Sequence, residues 1–162
     1  MNGVYYATFF KYEIALKIFR NRIYITSGDS MLPNVGSGQH ILVTPANFSK
    51  FSRGDVLVIR DPNGTKNIYL KRLVGLPCEE VKIFDGSLFI NGVHLKESYL
   101  GGMPQVLGLG KEIWKLKDRE VFVLGDNRAR STDSKDFGPV SFDFVEYKAW
   151  FCYWPTDRIG FI

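Results

Sequence analysis

The sequence predicts a mostly β fold, and three observations carry that prediction. Short runs rich in Val, Ile, Leu and aromatic residues recur from about residue 40 onward. Aromatic residues make up 15% of the chain, with 13 Phe and 8 Tyr, a composition suited to half-buried pleated surfaces. Asp85-Gly86 and Asn91-Gly92 are pairs that tolerate positive φ and close tight hairpins. No internal repeat and no long helical run follows residue 25.

Taken in order, strands are expected over 41–44, 56–60, 68–74, 81–84, 88–90, 121–124 and 148–153. The two turn pairs bracket Leu88, Phe89 and Ile90, so 79–97 reads as a small hairpin or meander. Residues 98–112 carry Gly101, Gly102, Pro104, Gly108 and Gly110 and read as a loop. A length of 162 residues suits one domain, or one core with a small appended lobe.

The N-terminal stretch has its own pattern. Val4 to Phe10 are apolar apart from Thr8, but Lys11, Glu13, Lys17, Arg20 and Arg22 follow. A spanning helix needs about 18–20 nearly uncharged apolar residues, so none fits here. No signal-peptide cleavage site is visible either. As a helix, the stretch would place Tyr5, Phe9, Tyr12, Leu16 and Phe19 on one stripe, while Phe10, Ile14 and Ile18 add a second. Two readings stay open: an element packed on the body, or a basic aromatic segment lying on a membrane.

Composition excludes several classes. Charged residues at 23% and hydrophobic residues at 45% exclude global disorder. A net charge of +4 permits contact with an anionic surface without demanding nucleic acid. Two cysteines, Cys78 and Cys152, are too few for a disulfide scaffold. Their scatter with His40 and His94 does not suit a zinc site, so no metal or cofactor is expected.

Three stretches are candidates for chemistry. Ser27-Gly28-Asp29-Ser30-Met31-Leu32-Pro33 can present a serine hydroxyl on an irregular turn, although its residues are ordinary turn formers. Tyr69-Leu70-Lys71-Arg72-Leu73-Val74-Gly75 places a lysine inside an apolar strand, with Tyr69, Lys71 and Leu73 on one face. A desolvated lysine loses proton affinity and can serve as a base near neutral pH. The third stretch runs from Gly125 to Val140, a polar loop held by the apolar strand before it. Neither histidine has a convincing setting as a base, and a serine–lysine dyad needs none.

These motifs are similar, in type and order, to those of the type I signal peptidase family, including its mitochondrial inner-membrane branch. The resemblance runs from about Ser27 to Pro155. It is carried by Ser30-Met31-Leu32-Pro33, Gly54-Asp55-Val56-Leu57-Val58, Lys71-Arg72-Leu73-Val74-Gly75-Leu76-Pro77 and Gly125-Asp126-Asn127-Arg128. It implies a signal-peptidase-like twisted antiparallel β-sheet core (26–77 and 119–162), a small inserted β lobe (78–118) and a membrane-proximal N-terminal segment (1–25).

The resemblance also implies roles. Ser30 would be the nucleophile and Lys71 the general base, with the Ser30 N–H facing the oxyanion. Gly28 stands where some members carry a second oxyanion donor. Ser131 would orient the lysine amine, and Asp133 with Lys135 would brace the loop, Lys135 replacing the usual Arg. Asp126 and Asn127 belong to the same supporting motif. Thr26, Met31, Val35, Tyr69 and Leu70 would line pockets for small substrate residues. The expected partners are preprotein signal peptides and a membrane lipid surface, with the site on the extracytoplasmic face.

The family's Gly-x-Pro-Gly reads Gly75-Leu76-Pro77-Cys78 here, and Cys78 is expected to be a buried structural thiol. The family's N-terminal anchor would be replaced by the basic aromatic segment or lost from the gene start. Competing readings are a protease dedicated to one client, a self-cleaving repressor-type serine–lysine protein, and a non-enzymatic membrane β module. Residues 1–26 are too short for a helix-turn-helix domain and lack the Ala-Gly or Cys-Gly dipeptide such repressors cleave.

Overall fold

Alternation and tight turns generate two antiparallel sheets in the computed structural model, which describes residues 21–102 and 110–162. The N-terminal aromatic stripe and the centre of the 98–112 segment lie outside the described residues. The strands are β1 (Arg22–Ile25), β2 (His40–Pro45), β3 (Val56–Arg60), β4 (Ile68–Gly75), β5 (Glu80–Phe84) and β6 (Ser87–Ile90). They continue with β7 (Val93–His94), β8 (Lys111–Lys115), β9 (Glu120–Leu124), β10 (Val140–Ser141), β11 (Val145–Trp154) and β12 (Gly160–Phe161). One α-helical turn, α1, covers Ser134–Phe137.

The larger sheet has the order β1-β2-β11-β3-β4-β9-β10, with β12 added beside β11. The smaller has the order β7-β6-β5-β8. Every strand expected from the sequence is present. Asp85-Gly86 and Asn91-Gly92 adopt positive φ throughout (47°, 74°, 49° and 81°), the backbone that closes β5–β6 and β6–β7.

β3 shows why its sequence lacks polar alternation. Val56 and Val58 face a cluster with Met31, Val35, Ile41 and Val43. Leu57 and Ile59 face the opposite cluster with Leu73, Val121 and Val123. Both faces are dry, so a continuous apolar run is required. Between the sheets, Val74, Phe122 and Leu124 pack on Val81, Ile83, Leu88 and Ile90. Gly75 sits at that crossing, where a Cβ would come within 2.6 Å of Val81 Cγ2 and 2.8 Å of Phe122 Cβ.

Two expectations are corrected. Cys78 is exposed rather than buried, and it is unpaired, as is the buried Cys152. It stands at φ 63° in the turn from β4 to β5, a left-handed position that throws the side chain outward. The two ends of the 98–112 segment are not loop. Ser98–Leu100 forms a 3-10 turn with Leu100 only 1% exposed, and Lys111 begins β8. The exposed lysines and glutamate of β8 hide its strand character. Strands of two residues, such as β7, β10 and β12, offer no alternation to detect.

Candidate active site

The irregular turn after β1 and the middle of β4 bring Ser30 and Lys71 together. Lys71 Nζ donates to Ser30 Oγ at 2.7 Å. In the sheet, Lys71 stands opposite Leu57 on the face it shares with Leu73. Its side chain is 2% exposed. Desolvation is the main cause that lowers its pKa to about 8, with nearby Lys135 pulling the same way and Asp133 and Asp126 opposing. The Tyr69 ring lies 5.4 Å from the amine, and Tyr69 itself stacks on Phe137 of α1.

A cleft of about 240 Å³ opens at this pair. Thr26, Gly28, Met31, Val35, Tyr69 and Leu70 all line it. Thr26 is fixed by donating its hydroxyl to the Gly36 carbonyl at 2.5 Å. Beside the cleft, Ile68 to Leu70 pair, among the described residues, with β3 on one side only. β9 pairs with β4 only from Arg72 onward.

The polar loop after β9 lies outside the cleft lining and packs against the backbone that carries Ser30. The Asn127 N–H donates to the Ser30 carbonyl at 3.0 Å, and Asn127 Nδ2 donates to the Asp29 carbonyl at 3.1 Å. Gly125 lies so close that a Cβ there would meet Ser131 Oγ at 2.1 Å and the Ser30 carbonyl at 2.5 Å. Ser131 is buried, and its hydroxyl has no hydrogen-bond partner among the described residues. Asp133 caps α1 through a capping box closed by Asp136 and accepts from the Gly125 N–H at 2.9 Å. Lys135 pairs with Asp133 at 3.3 Å and with Asp136 at 3.1 Å, and it donates to the Ser131 carbonyl.

Asp126 does not join the cleft. It turns to Arg72, which donates through Nε at 2.8 Å and Nη2 at 2.7 Å. Asn34 Nδ2 also donates to Asp126, at 2.8 Å. A second buried pair joins Arg128 to Glu97 at 2.6 and 2.9 Å. The sequence reading did not anticipate Asn34, Glu97 and Tyr99 as parts of this network. A signal existed for Arg72. A charged residue on the far face of a strand buried on both sides requires a partner.

The chain as a whole has known relatives. Residues 4–154 match a family model described as signal peptidase, peptidase S26. The chain belongs to the signal peptidase family. The signal peptidase I of Bacillus caldolyticus is 31% identical over 159 residues, covering 90% of this chain and 86% of that protein. Signal peptidase I T of Bacillus subtilis strain 168 is 32% identical over 146 residues, covering 84% and 75%. A crystal structure of a signal peptidase I from Enterococcus faecalis V583 aligns with a TM-score of 0.51 at 33% identity, covering 59% of this chain and 93% of that one. The signal peptidase family is one of serine-type endopeptidases and is membrane-associated, and this member is a hydrolase of that kind. No helix among the described residues is long and apolar enough to cross a membrane.

Proposed function

We propose that this signal peptidase family member removes signal peptides from exported preproteins by cutting after small residues, with Ser30 as nucleophile and Lys71 as general base. The observation that carries the reading is the 2.7 Å contact between Ser30 Oγ and a lysine whose amine is desolvated. A pKa of about 8 leaves a useful fraction of that amine neutral at mildly alkaline pH.

In the neutral form, the lysine accepts the hydroxyl proton as Oγ bonds to the scissile carbonyl carbon. The Ser30 N–H faces the developing oxyanion; Gly28 contributes no side-chain donor. Lys71 then returns the proton to the leaving amine, and the C–N bond breaks. A water attacks the acyl-enzyme, again losing its proton to Lys71, and Ser30 is regenerated. Ser131 is the group we assign to orienting the amine, because its buried hydroxyl has no other partner among the described residues. Lys135, paired with Asp133, holds that serine's carbonyl.

An extended substrate would pair with the free edge at Ile68 to Leu70. Met31, Val35 and Leu70 would then border pockets whose steric limit favours small side chains. We place the site at the extracytoplasmic lipid surface; contact with lipid is supported by one face of the larger sheet. Ile23, Leu42, Phe151 and Phe161 form a cross-strand row there, and Ile25, His40 and Trp154 form the next. Ile23, Ile25, Trp154 and Phe161 are 51–85% exposed, and clustered exposed apolar side chains of this kind mark contact surfaces.

The test is cleavage of a preprotein with an Ala-x-Ala site in detergent micelles, across roughly pH 6 to 10 to bracket the base. Wild type should cut after the final Ala, and Ser30→Ala and Lys71→Ala should not. Cleavage surviving in Ser30→Ala would remove the assignment of Ser30 as nucleophile, and a wild type that cuts nothing would favour the non-enzymatic module.

A further inference from the structure

Glu97 lies in the segment between β7 and the Ser98–Leu100 turn, outside the larger sheet in which Lys71 resides. Its carboxylate is fully buried and grips both terminal nitrogens of Arg128. Arg128 Nε in turn donates to the Gly125 carbonyl at 3.0 Å. Gly125 abuts the Ser30 carbonyl, which the Asn127 N–H holds.

Tyr99 adds a second linkage from the same segment. Its hydroxyl donates to Glu97, and its carbonyl accepts from Asn34 Nδ2 at 2.8 Å. The same Asn34 nitrogen donates to Asp126. The Arg72 guanidinium lies over the Tyr99 ring at 4.4 Å, one residue along the strand from Lys71. Residues 97–99 therefore touch the supports of both Ser30 and Lys71.

We propose that Glu97 is a positioning residue for the Ser30–Lys71 pair, acting through Arg128, with Tyr99 orienting its carboxylate. The inference rests on the reading of Ser30 as nucleophile. A buried ion pair adds little net stability over an apolar pair of the same size, so stability alone does not account for two of them here. Bidentate arginine contacts instead fix geometry, and a shift on the order of 1 Å at a nucleophile can cost about 100-fold in rate.

The experiment compares wild type, Glu97→Gln, Tyr99→Phe and Ser30→Ala as full chains on the same Ala-x-Ala preprotein. Thermal unfolding gives the folded fraction of each sample. Glu97→Gln should lower kcat about 10- to 100-fold and Tyr99→Phe about 3- to 10-fold, with KM within about twofold of wild type. Values of kcat equal to wild type in the folded variants would overturn the proposal. So would a loss of kcat that matches the loss of folded protein. If Glu97→Gln does not fold, Tyr99→Phe, which keeps the ring over Arg72, decides by the same criteria. A wild type that cuts nothing, or a Ser30→Ala variant as active as wild type, overturns the proteolytic reading itself, and this outcome is distinct from the others.

Discussion

The backbone N–H of Asn127 donates to the carbonyl of Ser30 across 3.0 Å. A residue nearly a hundred positions downstream thus fixes the peptide unit that carries the serine hydroxyl. Gly125 makes this approach possible. Gly125→Ala should displace either Ser131 or the Ser30 peptide, because a Cβ would stand 2.1 Å from the one and 2.5 Å from the other. The expected result is a loss of about 1–3 kcal/mol of stability with a larger proportional loss of kcat. Denaturant unfolding beside single-turnover cleavage checks it, and full activity in a folded variant refutes it.

Lys71 makes the rate depend on pH. Its pKa of about 8 means that the protonated amine predominates below that value and cannot accept the serine proton. The ratio kcat/KM should therefore rise with pH through about 8 and level above it. A rising limb near the ordinary lysine value of about 10.4 would show that the amine is not the desolvated base assigned here.

The same shift makes a prediction about stability. The folded pKa lies below the unfolded one, so between about 8 and 10.5 the unfolded chain binds the extra proton. Stability from this group should rise with pH across that window, and the cost is fully present below it. Lys71→Met should abolish cleavage yet stabilise the fold by about 2–3 kcal/mol at neutral pH, with the gain fading by about pH 10. Urea unfolding at several pH values tests this; a pH-independent difference would contradict it.

Gly75→Ala provides a contrast with Gly125→Ala. The contacts a methyl would meet are Val81 and Phe122, which belong to the packing between the sheets. Stability should fall by about 1–3 kcal/mol, while kcat per folded molecule stays near wild type. A selective loss of kcat would mean that the inter-sheet packing reaches the site.

Asp133 should matter to both fold and rate. It caps α1, accepts from Gly125 and pairs with Lys135. Asp133→Ala removes all three at a buried position, so a destabilisation of about 2–4 kcal/mol is expected, from the lost cap and the Gly125 N–H left without its acceptor, while Lys135 keeps Asp136 as a partner. Thermal melting measures it, and an unchanged transition would show that the cap is dispensable.

Much of the site was legible because its parts are local. Lys71 stood out as a charge inside an apolar run, and Ser30 lay in a turn whose neighbours, Met31 and Val35, both enter the core. Asp133, two residues before Lys135, is an ordinary helix cap. The Glu97–Arg128 and Arg72–Asp126 pairs were not legible, because partners 31 and 54 residues apart leave no spacing rule. Cys78 was misjudged because the sequence does not reveal that its turn uses a left-handed backbone. β8 was missed because its ends are charged and exposed, so its pairing with β5 leaves little hydrophobic trace.

The open stretch of β4 also bears on self-association. Unpaired strand edges recruit other chains, and Ile68 is 51% exposed on this one. Yet among the described residues only Ile68 to Lys71 are free before β9 closes the rest of the edge. Four residues give a stray strand too few hydrogen bonds to nucleate a ladder. A ligand that also fills the adjoining cleft gains both pairing and burial. The edge is thus long enough to be read by a peptide with the right side chains and too short to seed aggregation by itself.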